Sequence, residues 1–248
     1  MTEVVSRSGA PEPEGPALIV ALDVPTLAAA SDMVARVRPI TPWFKIGPAL
    51  FVAAGPAAVQ MVHAAGGRVF LDLKLHDIPY SVAGGVAAAA RLGVRLVTVH
   101  CAGGPAMLEA AARAAAQAGG GTMVLGVTRL TSDPGRVASG VLRAARLARD
   151  AGLHGVTTSA RECARLKAEL GSAFRVLTPA IRPPGTVPGD QARTATPRQA
   201  VLAGSDYLVV GRPILSADDP AAAAAAIAAE MAAARASRPG GRGDVSVG

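Results

Sequence analysis

The segment Arg68-Val69-Phe70-Leu71-Asp72-Leu73-Lys74-Leu75 decides the fold. Side chains alternate between the two faces of a strand. Leu71, Leu73 and Leu75 therefore share one face, and Phe70, Asp72 and Lys74 share the other. The leucine face calls for a covering layer of helices. Asp72 and Lys74 then turn the opposite way, into the mouth of a barrel. With His76 and Asp77 the run ends in alternating charge: aspartate, lysine, aspartate. Arginine holds its proton near neutral pH, whereas lysine can release one. The chain has 3 lysines against 22 arginines, and one of those lysines stands between two aspartates. That choice points to proton chemistry. The plainer reading is a salt bridge at an exposed strand end.

Outward from this segment, short β-like runs recur. They are Ala17–Val24, Trp43–Gly47, Arg68–Leu75, Leu96–His100, Thr122–Thr128, Gly155–Ser159, Arg175–Ile181 and Tyr207–Ile214. Stretches rich in Ala, Leu and Arg separate them, including Leu27–Val37, Ala83–Leu92, Pro105–Ala118, Gly140–Ala151 and Ala160–Leu170. The gap after the seventh run opens with a loop and then offers Pro197–Ala203. Eight strands alternating with helices predict an α/β fold, a (β/α)8 TIM barrel in a single domain. An open doubly wound sheet is the alternative; no Gly-x-Gly-x-x-Gly turn follows the first strand to favour it. Residues 1–15 and about 237–248 are rich in Gly, Pro and Ser. They are expected as disordered tails around a barrel spanning 16–236.

The same parity rule applies to the neighbouring strands. It separates Asp23 from Leu22 and Val24, Lys45 from Phe44 and Ile46, and Thr98 and His100 from Val97 and Val99. Polar groups from four consecutive strands thus gather at the C-terminal ends, where barrel enzymes keep their sites. The second half carries a different signal. Thr178-Pro-Ala-Ile-Arg182-Pro-Pro-Gly185 follows the seventh strand, and Val209-Val210-Gly211-Arg212-Pro213 ends the eighth. Loops after these two strands often bind phosphate in barrels. Gly211 lets backbone N–H groups approach an anion, and Arg212 adds a bidentate donor. The Gly/Pro/Thr loop from Arg182 to Thr196 is placed to close over it. The plain alternative is an exposed loop with a helix-facing arginine.

Composition narrows the classes. Half of the 248 residues are apolar, enough for a large core. The formal charge is +7, but aromatics are only 3 %, so no stacking platform for single strands is evident. The basic balance suits an anionic small molecule. The first residues show no basic segment followed by an apolar core, so no secretory leader is expected. The alanine run Ala221–Ala236 carries Glu230 and Arg235 and reads as a helix, so no membrane span is expected either. The 2 cysteines, Cys101 and Cys163, make no disulfide framework, and no Cys/His spacing suggests zinc. A reducing cytoplasm fits.

Taken together, these segments resemble the orotidine 5′-phosphate decarboxylases of the shorter bacterial type. The resemblance covers roughly residues 17–216. Its anchors are Ala21-Leu-Asp23, Phe44-Lys45-Ile-Gly47, Asp72-Leu-Lys74-Leu-His-Asp77-Ile-Pro79, Val97-Thr-Val-His100, Leu130-Thr131-Ser132, Arg182-Pro-x-Gly, Gly189-Asp-Gln191 and Gly204-Ser-Asp-Tyr-Leu-Val-Val-Gly211-Arg212-Pro213-Ile. It implies decarboxylation of orotidine 5′-phosphate to UMP, with no metal or organic cofactor. By position, Asp72, Lys74 and Asp77 are implied as the catalytic array, Lys74 delivering a proton to C6 of the pyrimidine. Asp23 and Lys45 are implied at the ribose or base, and Thr131 near the ring. Ile78, Pro79 and Ser81 are further substrate-binding candidates. Gln191, Gly211 and Arg212 are implied at the phosphate, with Arg182 in the mobile loop. Asp77 is implied to reach into a partner subunit's site, making a homodimer; neither nucleic acid nor membrane is an expected partner. Three departures from the family pattern are visible. Tyr80-Ser81 replaces Asn-Thr, Ala180 replaces a glycine and so calls for an alanine-compatible backbone, and the sixth strand reads Gly155-Val-Thr-Thr-Ser where a cysteine is common. Two alternatives remain: a related barrel using Mg2+ on a sugar phosphate, as decarboxylase or aldolase, and a non-catalytic phosphate- or nucleic-acid-binding barrel.

Overall fold

The computed structural model describes residues 15–119, 121–129, 138–184 and 193–237, with backbone alone at 138 and 139. Apart from Gly15 and Ser237, the expected tails lie outside these residues. Eight parallel strands close into one barrel in sequence order, with β8 pairing back onto β1. The strands are β1 Ala17–Ala21, β2 Trp43–Ile46, β3 Arg68–Leu75, β4 Leu96–His100, β5 Met123–Val127, β6 Gly155–Thr157, β7 Arg175–Thr178 and β8 Tyr207–Val210. The helices are α1 Leu27–Val37, α2 Pro48–Ala54, α3 Pro56–Ala64, α4 Pro79–Arg91, α5 Gly104–Ala118, α6 Ala138–Asp150, α7 Ala160–Leu170, α8 Pro197–Ala203, α9 Arg212–Leu215 and α10 Pro220–Ala236. Closure excludes the open doubly wound sheet.

Two apolar layers follow from strand alternation. Val69, Leu71, Phe44, Ile46, Val97 and Val99 face outward and pack against the helices. Ile19, Trp43, Phe70, Leu96, Leu125, Leu177 and Tyr207 fill the barrel. Trp43 and Tyr207 open their strands and meet edge to face at 5.4 Å, so the barrel is plugged at its N-terminal end. Toward the C-terminal ends the inward positions become small or charged: Ala21, Lys45, Asp72. That change of side chain opens the mouth.

Several strands stop short of the sequence expectation. β1 ends at Ala21 rather than Val24, β7 at Thr178 rather than Ile181, and β8 at Val210 rather than Ile214. After β8 the apolar pattern continues, but Pro213 has no N–H for a ladder and stands in the first turn of α9. β3 keeps its predicted length with one irregularity. Leu71 pairs with Val97 and Leu75 with Val99, so Asp72-Leu73-Lys74 oppose Thr98 alone. This bulge sets Lys74 at φ +50°, in the left-handed region.

Candidate active site

A cavity of about 310 Å3 opens at the C-terminal mouth. Ala21, Asp23, Lys45, Phe70, Asp72 and Lys74 line one side; Arg182, Gly211 and Arg212 line the other. A larger depression of about 780 Å3 lies at the opposite end, around Ala17, Trp43, Arg68 and Met231. No carboxylate lines it, so it lacks an acid–base pair.

The charged groups at the mouth form a chain. Lys45 Nζ donates to Asp23 Oδ1 at 2.9 Å and lies 3.9 Å from Asp72 Oδ2. Lys74 Nζ donates to the same Asp72 oxygen at 2.7 Å. Asp72 and Lys45 are largely buried at 11 % side-chain exposure each, whereas Lys74 reaches the opening at 35 %. Two ammonium groups thus flank one buried carboxylate. Gly47 makes room for this. A Cβ there would come within 3.1 Å of Lys45 Nζ and 3.2 Å of Asp23 Oδ1.

Asp77 stands apart. It lies past β3, exposed, and its Oδ1 accepts from the Ile78 N–H at 2.6 Å. Among the described residues it makes no ion pair with Lys74. Ile78, Pro79 and Ser81 lead into α4 and are exposed. They do not line the cavity of their own chain. Ile78 is 63 % and Tyr80 87 % exposed, an apolar surface beside Asp77.

On the far wall, Arg182 extends an isolated bridge between Ile181 and Ala195, its N–H donating to Ala195 O at 2.8 Å. Arg212 opens α9, directly after Gly211. A Cβ on Gly211 would sit 3.5 Å from Ala21 Cβ and 3.6 Å from Asp23 Oδ2, an ordinary contact. Thr131 and Gln191 lie outside the described residues. Ala180 corrects an expectation: its backbone is not alanine-compatible but sits at φ +61°, where a glycine is at ease.

Sequence reasoning passed over Arg129 and Thr157, which also line the cavity. Arg129 directly precedes the Leu130-Thr131-Ser132 motif. Thr157 lies on the inward face of β6, and its buried hydroxyl has no hydrogen-bond partner among the described residues. The lining therefore carries Lys45, Lys74, Arg129, Arg182 and Arg212 against Asp23 and Asp72. That excess suits a multiply charged anion. His100, expected at the mouth, is not part of the lining. Its Nδ1 accepts from the Ala102 N–H at 3.3 Å, and its ring stacks on His76 at 5.3 Å. Burial, then the charges of His76 and Lys74, lower its pKa. Cys101 is free, and burial pushes its thiol up to about 12, far from a thiolate nucleophile at neutral pH. Among the described residues no three His, Cys, Asp or Glu side chains gather as a metal-binding group, and no helix is long and apolar enough to cross a membrane.

Comparison with known proteins adds to this geometry. Residues 16–227 match the model of the Orotidine 5'-phosphate decarboxylase / HUMPS family. The chain is 51 % identical over 232 residues to orotidine 5'-phosphate decarboxylase of Halorhodospira halophila, covering 90 % of this chain and 98 % of that protein. It is 50 % identical over 230 residues to the protein of that name from Moorella thermoacetica, covering 86 % and 91 %. Among solved structures it resembles orotidine 5'-phosphate decarboxylase from Lactobacillus acidophilus, with a TM-score of 0.76, 34 % identity, and 88 % and 99 % coverage.

Proposed function

Because the chain belongs to the Orotidine 5'-phosphate decarboxylase / HUMPS family, we propose that it converts orotidine 5′-phosphate to UMP and CO2, the last step of UMP synthesis. Its relatives at about half identity are all named for that reaction. The observation that carries the reading is the Asp23–Lys45–Asp72–Lys74 chain, set across one cavity from Arg182 and Arg212.

The chemistry sets the demand. When the C6–carboxylate bond breaks, its electron pair stays on C6 with no adjacent carbonyl to absorb it. Enzymes can lower such barriers by as much as ~23 kcal/mol. One preorganised donor contributes roughly 3–4 kcal/mol. In this reading Lys74 stabilises the developing charge and then passes a proton from Nζ to C6. Asp72 accepts from that ammonium at 2.7 Å and aims it. Asp23 and Lys45 bind the ribose or base. The remainder comes from the remote phosphate, held by Arg182, Arg212 and the Gly211 backbone together with Gln191, and from loop closure. Thr131 approaches the ring.

We assign Asp77 to the site of a second subunit, in a homodimer where Ile78, Pro79 and Ser81 also reach across. Its exposure, its lack of an ion pair with its own Lys74 and the apolar Ile78 and Tyr80 beside it support this. The two free cysteines fit the cytoplasm. The test is direct. Purified protein should turn orotidine 5′-phosphate into UMP, and Lys74→Ala should abolish turnover with the fold intact. A Lys74→Ala protein of near-normal rate would sink the assignment.

A further inference from the structure

We propose that Thr98 is a positioning residue for the catalytic pair, an inference that rests on the decarboxylase reading of the site. Thr98 is fully buried on β4. It does not line the cavity and so does not touch substrate. Yet its hydroxyl works in both directions. It donates to Asp72 Oδ1 at 2.9 Å and accepts from the Lys74 N–H at 2.9 Å. The other Asp72 oxygen takes the Lys74 ammonium at 2.7 Å. One hydroxyl therefore ties together the backbone of the proton donor and the carboxylate that aims it.

The bulge explains why a hydroxyl is needed here. Asp72-Leu73-Lys74 face Thr98 alone, so the regular ladder of β3 and β4 is interrupted there. Lys74 sits at φ +50°, a conformation costly for a residue with a Cβ. Its half-buried N–H would be left unpaired without another acceptor. A threonine side chain supplies one and still has a proton to give Asp72. Valine has the same outline and can do neither. Serine keeps both bonds.

Thr98→Val should therefore lower kcat by about 10- to 100-fold, the equivalent of losing a hydrogen bond to a charged group. The KM for orotidine 5′-phosphate and the Kd for UMP should stay near wild-type, because those groups bind elsewhere in the cavity. Thr98→Ser should recover most of the lost turnover. Circular dichroism and UMP titration establish that each variant is folded. Wild-type kcat in Thr98→Val overturns the proposal. So does Thr98→Ser as slow as Thr98→Val, or a Thr98→Val that loses UMP binding along with kcat, since both point to a packing role. An inactive wild-type protein would instead overturn the decarboxylase reading.

Discussion

Single residues carried much of the site. Two of the three lysines, Lys45 and Lys74, stand at the mouth. The third, Lys167, pairs with Asp206 at 2.7 Å near the start of β8. The rarity of lysine was thus a usable signal, and alternation placed Asp72 and Lys74 on the inward face. The bulge beneath them was not legible. It adds two residues to β3, and an even insertion leaves the alternation of Leu71 and Leu75 intact while the backbone between them leaves the strand path. The backbone at Ala180 was equally hidden, since nothing local in Thr178-Pro-Ala-Ile announces a left-handed residue. An alanine at φ +61° is strained by roughly 1–2 kcal/mol. Glycine relieves this but adds about 0.4–1 kcal/mol of unfolded-chain entropy. Ala180→Gly should therefore stabilise the protein by about 0–1.6 kcal/mol. A urea melt with a lower midpoint than wild-type would contradict that.

Elements were legible where the periodicity was long and less so where strands end. α1, α7 and α8 match their expected bounds, and β3 and β4 match theirs. The short ends of β1, β7 and β8 escaped, because an apolar run does not say where its ladder stops. Histidines seal two of the strand junctions. His154, just before β6, accepts the Val124 N–H of β5 on Nδ1 at 3.1 Å; His100, ending β4, accepts from Ala102. Burial lowers the pKa of His154, and burial with the His76 and Lys74 charges lowers that of His100, both from 6.5. In the unfolded chain both bind protons near that value, while the fold resists. The unfolded state then holds more protons below pH 6.5, so stability falls as pH drops through this range. Thermal melts should show Tm decreasing from neutral toward acid pH. The pair His100→Asn, His154→Asn should flatten that slope; an unchanged slope would place its origin elsewhere.

At the scale of the molecule, the barrel divides the labour. The loop after β1 and strands β2 and β3 supply the charged chain, and the loops after β7 and β8 supply Arg182, Gly211 and Arg212. The order of strands was readable from alternation, and closure brings β8 beside β1. What one chain does not assemble is the pairing of Asp77 with Lys74. If Asp77 serves a second subunit, mixing inactive Lys74→Ala with inactive Asp77→Ala should restore one complete site per heterodimer. Activity should reappear after subunit exchange; none after verified exchange would assign Asp77 to its own chain. The central claim is tested most directly by the fall in absorbance as orotidine 5′-phosphate becomes UMP, followed with purified protein in the presence and absence of EDTA. The account predicts the same rapid loss in both, abolished by Lys74→Ala. No loss of absorbance with the wild-type protein, or a loss that EDTA stops, would contradict it.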